Sequence, residues 1–589
     1  MRHDNRITLA LAACLTAAAG LVAMPNPAAA CGGLFCNSSN PVNQAAERIL
    51  FVDNGDGTTT AVIQIMYEGP ADEFAWVLPL GDIADPDNDI KVSSDLALQR
   101  LQQSTNPQYN LNVTVEGSCK DDCSGCGGVA TGTSAPGAFA NDSAESGDGG
   151  GVVVEASGSV GPFDFELISV DDAAGDKAQV AIDWLDTNGY DLGIGDEVLR
   201  PYLEMDQKLL CVRLSSGNDA GSVRPLMVTY EGDNPAIPIR PTAVAANDDM
   251  GILVFVGGEE RAIPKNYAML ELNDALIDWF NPNQSYNNVV IEAANEAQGH
   301  GFVTEYADGS DTLDQVIVQD WERDQWNSFQ GQSFTADQTM VQESFQWSGW
   351  DGFRDAFAAA SMLPNTVSVD DIINCPSCYL DGAKESYGIT FDRDAFRTAL
   401  YEFVLRPMFD TDSLLLSAQY ITRLYTTMSA DEMTDDPVFD FNPDLQSVSN
   451  INTAEQIIMC NPTVDRFEAP YRIELPSGST VFGDDQGVWP VDIDEPELPF
   501  ARRIAMAGTS GEPVVMVDNV EAIDQALSEN APDGYTGPGM DPVGDDESDG
   551  SGGDSAGLCS VGSVGAAAPK LPGILLMALA IGLVRRRRR

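Results

Sequence analysis

Histidine is almost missing from this chain: His3 and His300 are the only two in 589 residues. The scarcity excludes H-E-x-x-H zinc sites. It also leaves any Ser-His-Asp triad dependent on one side chain, because His3 lies in a segment that reads as a removable leader. His300 sits in "AQGHGFV", between glycines at a helix end, where it is expected to satisfy a last-turn carbonyl rather than to catalyse. Lysine is nearly as rare, with seven residues, and 31 basic side chains face 91 acidic ones. Such a field repels nucleic acid and anionic lipid, so no nucleic-acid partner is expected. An acidic, lysine-poor surface suits a saline exterior, where salt screens self-repulsion. What is plentiful is core material. The chain is 43% hydrophobic, with eight Trp, 15 Tyr and 23 Phe, enough for several cores.

Both ends read as addresses. Arg2 and Arg6 precede an apolar run from Ile7 to Met24, and Ala28-Ala29-Ala30 is a small-residue cleavage site, so residues 1–30 form a secretory signal peptide. Cys31 is then the first mature residue. An N-terminal cysteine suggests lipidation, but a lipobox carries Leu or a similar residue where Ala28 stands, and ordinary cleavage after Ala30 is the expectation. At the other end, residues 531–558 are an acidic Ser/Gly/Asp-rich linker, with no Lys or Arg, that reads as a solvated coil. It holds "GDSAG", the only G-x-S-x-G of the chain, but without the flanking strand and helix of a nucleophile elbow Ser555 is a linker serine. Beyond it, Leu571 to Val584 is a 14-residue apolar run that reaches 24 residues when extended back to Val561, enough for a tilted span. Arg585 to Arg589 would hold its end in the cytoplasm, leaving the body outside. Removal of both ends leaves 23 basic residues against 90 acidic ones, a balance of −67.

The order of spacer, "GLCSVG", span and arginine cluster resembles the MYXO-CTERM sorting tail of myxobacterial surface proteins over residues 559–589. The resemblance implies a sorting protease as partner, cutting near Cys559, and membrane contact through the span only before processing. A retained single-pass anchor is the alternative.

Between the ends the chain reads as α+β, mainly antiparallel sheet with clustered helices. Residues 31–285 form a strand-rich region, in which "AERILFVDNGDGTTTAVIQIMYEG" folds back at Asn54-Gly55 and Asp56-Gly57. "FDFELISV", "KLLCVRLSS" and "IPIRPTAVAAN" continue the strands, while "SSDLALQRLQQS" and "DKAQVAIDWLDTNG" read as helices. Residues 127–161 read as a low-complexity surface insertion. Residues 286–530 turn helical through "NNVVIEAANEAQGHG", "DAFRTALYEFVLRPMF" and "DSLLLSAQYITRLYTTMS", and close on strands. "ACGGLFC", the hairpin segment with "FAWVLPLG", "AIDWLDTNGYDLG", "IPIRPTAVAANDDMGILVFVGGEERAIPKNY" and "RLYTTMSADEMTDDPVFDFNPDL" are similar to the bacterial secreted family called domain of unknown function 2330, from Cys31 to about Val520. That likeness implies location and architecture. It brings no catalytic residues.

Cys14 leaves with the leader and Cys559 belongs to the tail, so nine cysteines stay in the exported body: Cys31, Cys36, Cys119, Cys123, Cys126, Cys211, Cys375, Cys378 and Cys460. In an oxidising compartment these are disulfide candidates, and the odd count leaves one free, lipidated or metal-bound. Cys31 with Cys36 is the easiest local pair. "CKDDCSGC" could offer three thiolates to a metal with Cys211 as fourth, but export favours two disulfides among Cys119, Cys123, Cys126 and Cys211. "CPSC" superficially matches a thiol oxidoreductase, although the acids of "DDIIN" upstream would raise the thiol pKa.

"DPDND" at Asp85 to Asp89 spaces acids as a calcium loop does, yet Ile90 and Leu96 stand where that loop needs Gly and Glu. Weak surface calcium is expected on so acidic a body, with no dedicated metal or cofactor site. The expectation is therefore a non-enzymatic surface protein, structural, adhesive or partner-binding. The alternative is an extracellular hydrolase acting through acidic residues, which a cleft holding two suitably spaced carboxylates would favour.

Overall fold

Two glycines shape the first turn. Gly55 and Gly57 take φ of 72° and 90°, a region costly to residues with a Cβ, and Asn54 N donates to Thr58 O at 3.0 Å. The strands they join, Asn43–Asp53 and Thr58–Glu68, pair antiparallel as the alternating Ile, Phe and Val require. The computed structural model describes residues 43–532, apart from 69–73, 121–151, 172–174, 191–195, 216–222, 233, 244–245 and 494–495.

These two strands belong to a ten-stranded mixed sheet. Its order is Val514–Asp518, Ala501–Met506, Ala268–Leu272, Gly301–Gly309, Tyr420–Met428, Ala246–Gly258, Asn43–Asp53, Thr58–Glu68, Leu226–Glu231 and Ile90–Val92. Strands come from both sides of residue 285, so the strand-rich and helix-rich stretches share one sheet. Most neighbours run antiparallel; Asn43–Asp53 with Ala246–Gly258, and Ala268–Leu272 with Gly301–Gly309, run parallel. The fold is α+β.

Both faces of the sheet are covered, which is why its central strands are apolar at consecutive positions. Ile49, Phe51, Ile63, Val254 and Val256 pack with Val77, Phe165 and Leu210 of a four-stranded sheet. Leu50, Val52, Val62, Leu253 and Phe255 pack on the opposite face with Phe353, Phe357, Leu400 and Met408 of a helical layer. Each such side chain contributes about 1.5–3 kcal/mol on burial. A second four-stranded sheet, Thr480–Gly483, Tyr471–Glu474, Ile451–Met459 and Gln108–Glu116, closes a third core with Ile277, Trp279 and Ile523.

Three local expectations are corrected. Tyr420–Met428, read as the end of a helix, is a central strand. Its run of Ile421, Thr422, Thr426 and Thr427 is β-branched, and the preceding helix ends at Ser417. Val152–Val160, read as part of a loop insertion, is a strand in register with Phe163–Val170, its Gly and Ser tolerated at a solvated edge; residues 127–151 lie outside the described residues. Ile239–Thr242, read within a strand, is a short helix, since Pro238 and Pro241 lack the N–H a ladder needs.

Candidate functional site

The parallel pair Ala268–Leu272 and Gly301–Gly309 is joined through the helix Pro282–Glu296, and this unit contributes Glu271, Asp274, Trp279, Tyr286 and Glu305 to two adjoining clefts. Strand Gly301–Gly309 carries a bulge. Val303 and Thr304 oppose Tyr425 and Leu424, but Tyr306 opposes Arg423, so Glu305 is an extra residue. A bulge re-aims its side chain. Glu305 accepts from the Tyr286 hydroxyl, contributed by the crossover helix, and from Arg423 Nε on the neighbouring strand. Arg423 also donates Nη1 to Gln102 O and Thr105 Oγ1, both at 2.9 Å, where the last turn of the helix Asp95–Thr105 presents carbonyls to a cation.

Glu305, Tyr286, Tyr109 and Pro107 form the wall that the two clefts share. The smaller, about 370 Å³, lies toward Arg48, Asn283 and Tyr425. The larger, about 820 Å³, opens over the sheet. Its floor follows from strand register. Met269 opposes Ala505, which opposes Val515, giving an apolar row. One row along, Glu271 opposes Arg503, which opposes Asp518. Arg503 Nη1 bonds Glu271 at 2.9 Å, and its Nε faces Asp518 at 3.5 Å, so one cation serves both acids of the row. Aromatic rings form one side: Tyr109 meets Trp279 edge-on at 5.0 Å and Tyr286 at 5.8 Å between centroids. Burial and the Glu305 charge hold the Tyr286 phenol well above its ordinary range, and burial, Glu305 and Asp274 do the same for Tyr109.

Burial pushes the Asp274 carboxyl upward. Ser477 opposes the shift, donating Oγ at 2.7 Å and its backbone N at 3.1 Å. The turn that holds Asp274 is fixed by buried Asn273, whose Oδ1 accepts from Ala275 N at 3.2 Å and whose Nδ2 donates to Pro499 O at 2.8 Å. Across the cleft lies Arg261, immediately before the strand Ala262–Pro264, with Nη1 on Gln446 O at 2.6 Å. Burial lowers its pKa.

A separate cleft of about 850 Å³ lies in the helical layer. Its cations are engaged: Lys384 with Asp337 at 2.6 Å, Arg393 with Asp337 at 3.4 Å, and Arg397 with Asp394 at 3.1 Å.

The residues singled out in the sequence fall elsewhere. Cys119 bonds Cys460, correcting the expected pairing within the "CKDDCSGC" set and Cys211. The reason is register. Gln108–Glu116 runs parallel to Ile451–Met459, so their C-terminal ends arrive together, and Cys460 N donates to Glu116 O at 2.8 Å. Cys211 is a buried free thiol opposite Val77 and Glu166, pushed up by burial. Cys375 and Cys378 form a local disulfide. His300 sends its ring to Thr434 Oγ1 at 3.1 Å and against Tyr267, while its backbone N–H, not its side chain, serves the last-turn carbonyl of Ala297. The acids of "DPDND" close their own turn, Asp85 N on Asp89 Oδ2 at 2.9 Å and Asn88 Nδ2 on Asp85 at 2.8 Å. Ala30, Cys31, Cys36, Cys123, Cys126, Ser555 and Cys559 lie outside the described residues. Among the described residues, no helix is long and apolar enough to cross a membrane.

Sequence reasoning missed Arg261, Asp274, Tyr286 and Glu305. A faint signal existed for one of them: Glu305 in "GFVTEYADG" is a charge inside an apolar strand run.

No curated protein and no solved structure matches the chain. A family model described as "Uncharacterized protein conserved in bacteria (DUF2330)" matches residues 25–320. The match includes Tyr109, Arg261, Asp274, Tyr286 and Glu305; the phrase "RLYTTMSADEMTDDPVFDFNPDL" lies beyond it. With half of its length so matched, the chain belongs to the DUF2330 family of conserved bacterial proteins.

Proposed function

We propose that the protein is an exported binding protein of the cell surface, holding a small ligand or a short segment of a partner in the cleft above Met269, Ala505 and Val515. The observation that carries this reading is the state of the cleft carboxylates. Of the five carboxylates that line the cleft, four are engaged: Glu305 by Arg423 and Tyr286, Glu271 by Arg502 and Arg503, Asp518 by Arg503, and Asp274 by Ser477; the fifth is Glu512. A general base must be aimed at the proton it takes, and these four carboxylates are aimed at partners within the protein. A volume of about 820 Å³ lined by apolar, aromatic and a few polar groups has the make-up of a ligand site. Export rests on the N-terminal leader, and surface attachment on the tail with its Cys559 motif.

One observation favours the alternative of an acid-dependent hydrolase: the raised Asp274 carboxyl beside aromatic rings, as a general acid would be. A single experiment separates the two. The purified exported chain is screened by ligand-observed NMR against small aromatic and apolar compounds, and assayed against chromogenic glycosides and peptides. Binding that Ala505→Trp abolishes, without turnover, supports the binding reading. Turnover lost in Asp274→Asn replaces it with the hydrolase.

A further inference from the structure

The buried arginines among the described residues are Arg48, Arg224, Arg261, Arg423 and Arg502. Asp95 pairs with the first, Asp355 with the second, Glu305 with Arg423, and Glu271 with Asp524 serve Arg502. Arg261 has no carboxylate within ion-pair distance among the described residues, although it is only 8% exposed in a chain with 91 acids. Among the described residues its only side-chain hydrogen bond is from Nη1 to the Gln446 carbonyl, and Nε is buried without a partner there. Of its four unused N–H donors, Nε–H and the near N–H of Nη2 point the same way from the planar guanidinium. They are the fork that grips both oxygens of a carboxylate.

A buried cation without a counter-charge is costly, and the chain has carboxylates to spare. Thr304 Oγ1, lining the same cleft, is also buried without a partner. We infer that Arg261 anchors the carboxylate of a ligand whose apolar or aromatic body lies along Met269, Ala505 and Val515 and against Tyr109 and Trp279. The inference rests on the reading of this cleft as a binding site and names the ligand class. Discrimination comes from contact and not from long-range attraction, because the field of the acidic body repels anions beyond the cleft mouth. A neutral amide offers the fork one carbonyl acceptor and no charge, which is the weaker contact.

The test uses the purified exported chain in about 0.15 M salt, where the Debye length is about 8 Å. The probes are 3-phenylpropionate, the neutral 3-phenylpropionamide and inorganic phosphate, titrated by calorimetry. The expected result is that the acid binds about tenfold or more tightly than the amide, with phosphate weaker than the acid. Arg261→Gln should bring acid and amide to the same affinity, and Arg261→Lys should recover only part of the difference, since lysine keeps the charge and loses the fork. Equal binding of acid and amide to the unaltered chain overturns the anchor and leaves the cleft as a neutral site. Phosphate binding as tightly as the acid overturns the assignment of an apolar body. Failure of both acid and amide to bind, or binding untouched by Ala505→Trp, overturns the cleft reading and the anchor with it.

Discussion

Glu305 and Arg423 form an ion pair with side chains 1% and 5% exposed, at the one place where strand Gly301–Gly309 carries an extra residue. The bulge brings the carboxylate to the guanidinium, and the helix end at Gln102 and Thr105 takes its Nη1 N–H groups. Removing one partner strands the other charge in the interior. Glu305→Ala should therefore lower unfolding free energy by about 3–5 kcal/mol, whereas Glu305→Leu with Arg423→Met should lose less than either single change. Urea unfolding of the three variants checks the order.

Arg261 gives the opposite expectation. It has no carboxylate to strand, so Arg261→Met should cost no more than about 1 kcal/mol for the lost Gln446 bond, and relief of the buried charge offsets that loss. The same urea series, with Arg423→Met beside it, should show the first near the unaltered chain and the second far below.

The two disulfides should differ in weight. Cys119–Cys460 spans 341 residues and Cys375–Cys378 spans three. By the loop-entropy argument, replacing the first pair with serine should cost about 6 kcal/mol and the second about 2 kcal/mol. Non-reducing peptide maps should link Cys119 to Cys460 and return Cys211 as a thiol alkylated only after unfolding.

Asp274 predicts a pH effect. Its carboxyl titrates higher in the folded chain than in the unfolded one, so folding favours the protonated form. That contribution is full below the ordinary Asp value, about 4, and is lost as pH rises through the folded value. Asp412 and Asp436, also raised by burial, act in the same direction. Asp274→Asn should therefore show a smaller fall in stability as pH rises above about 4, measured by thermal unfolding across the range.

The tail makes its own demand. If Cys559 marks the cut, Cys559→Ala should leave a precursor in the inner membrane that keeps Leu571 to Arg589, while the unaltered chain reaches the surface without them. Mass spectrometry that finds the terminal arginines on surface-exposed, unaltered protein would reject the sorting reading in favour of a simple anchor.

The hairpin and the α+β class were legible because they depend on neighbours in sequence, as Gly55 and Gly57 do at the turn. Tyr420–Met428 was misread because an apolar run next to a helix carries the same local signal whether it continues the helix or enters a sheet, and here the sheet's other strands decide. The Cys119–Cys460 bond depends on parallel register across hundreds of residues, which no spacing rule encodes. The cleft escaped for a similar reason. Arg261, Asp274 and Glu305 are ordinary charges in a chain crowded with acids, and only burial and the presence or absence of partners set them apart.

The middle of the ten-stranded sheet has a consequence for how the chain is made. Neighbouring strands begin at residues 43, 246 and 420, and the first of them pairs in parallel with the second. A polypeptide emerging N-terminus first, from a ribosome or a translocation pore, can form its opening hairpin at once but cannot complete the centre until Tyr420–Met428 has emerged. High contact order makes that assembly slow. The early part therefore remains threadable during emergence, and a truncation upstream of Tyr420 would present the open flank of Ala246–Gly258 to other chains, a route to aggregation.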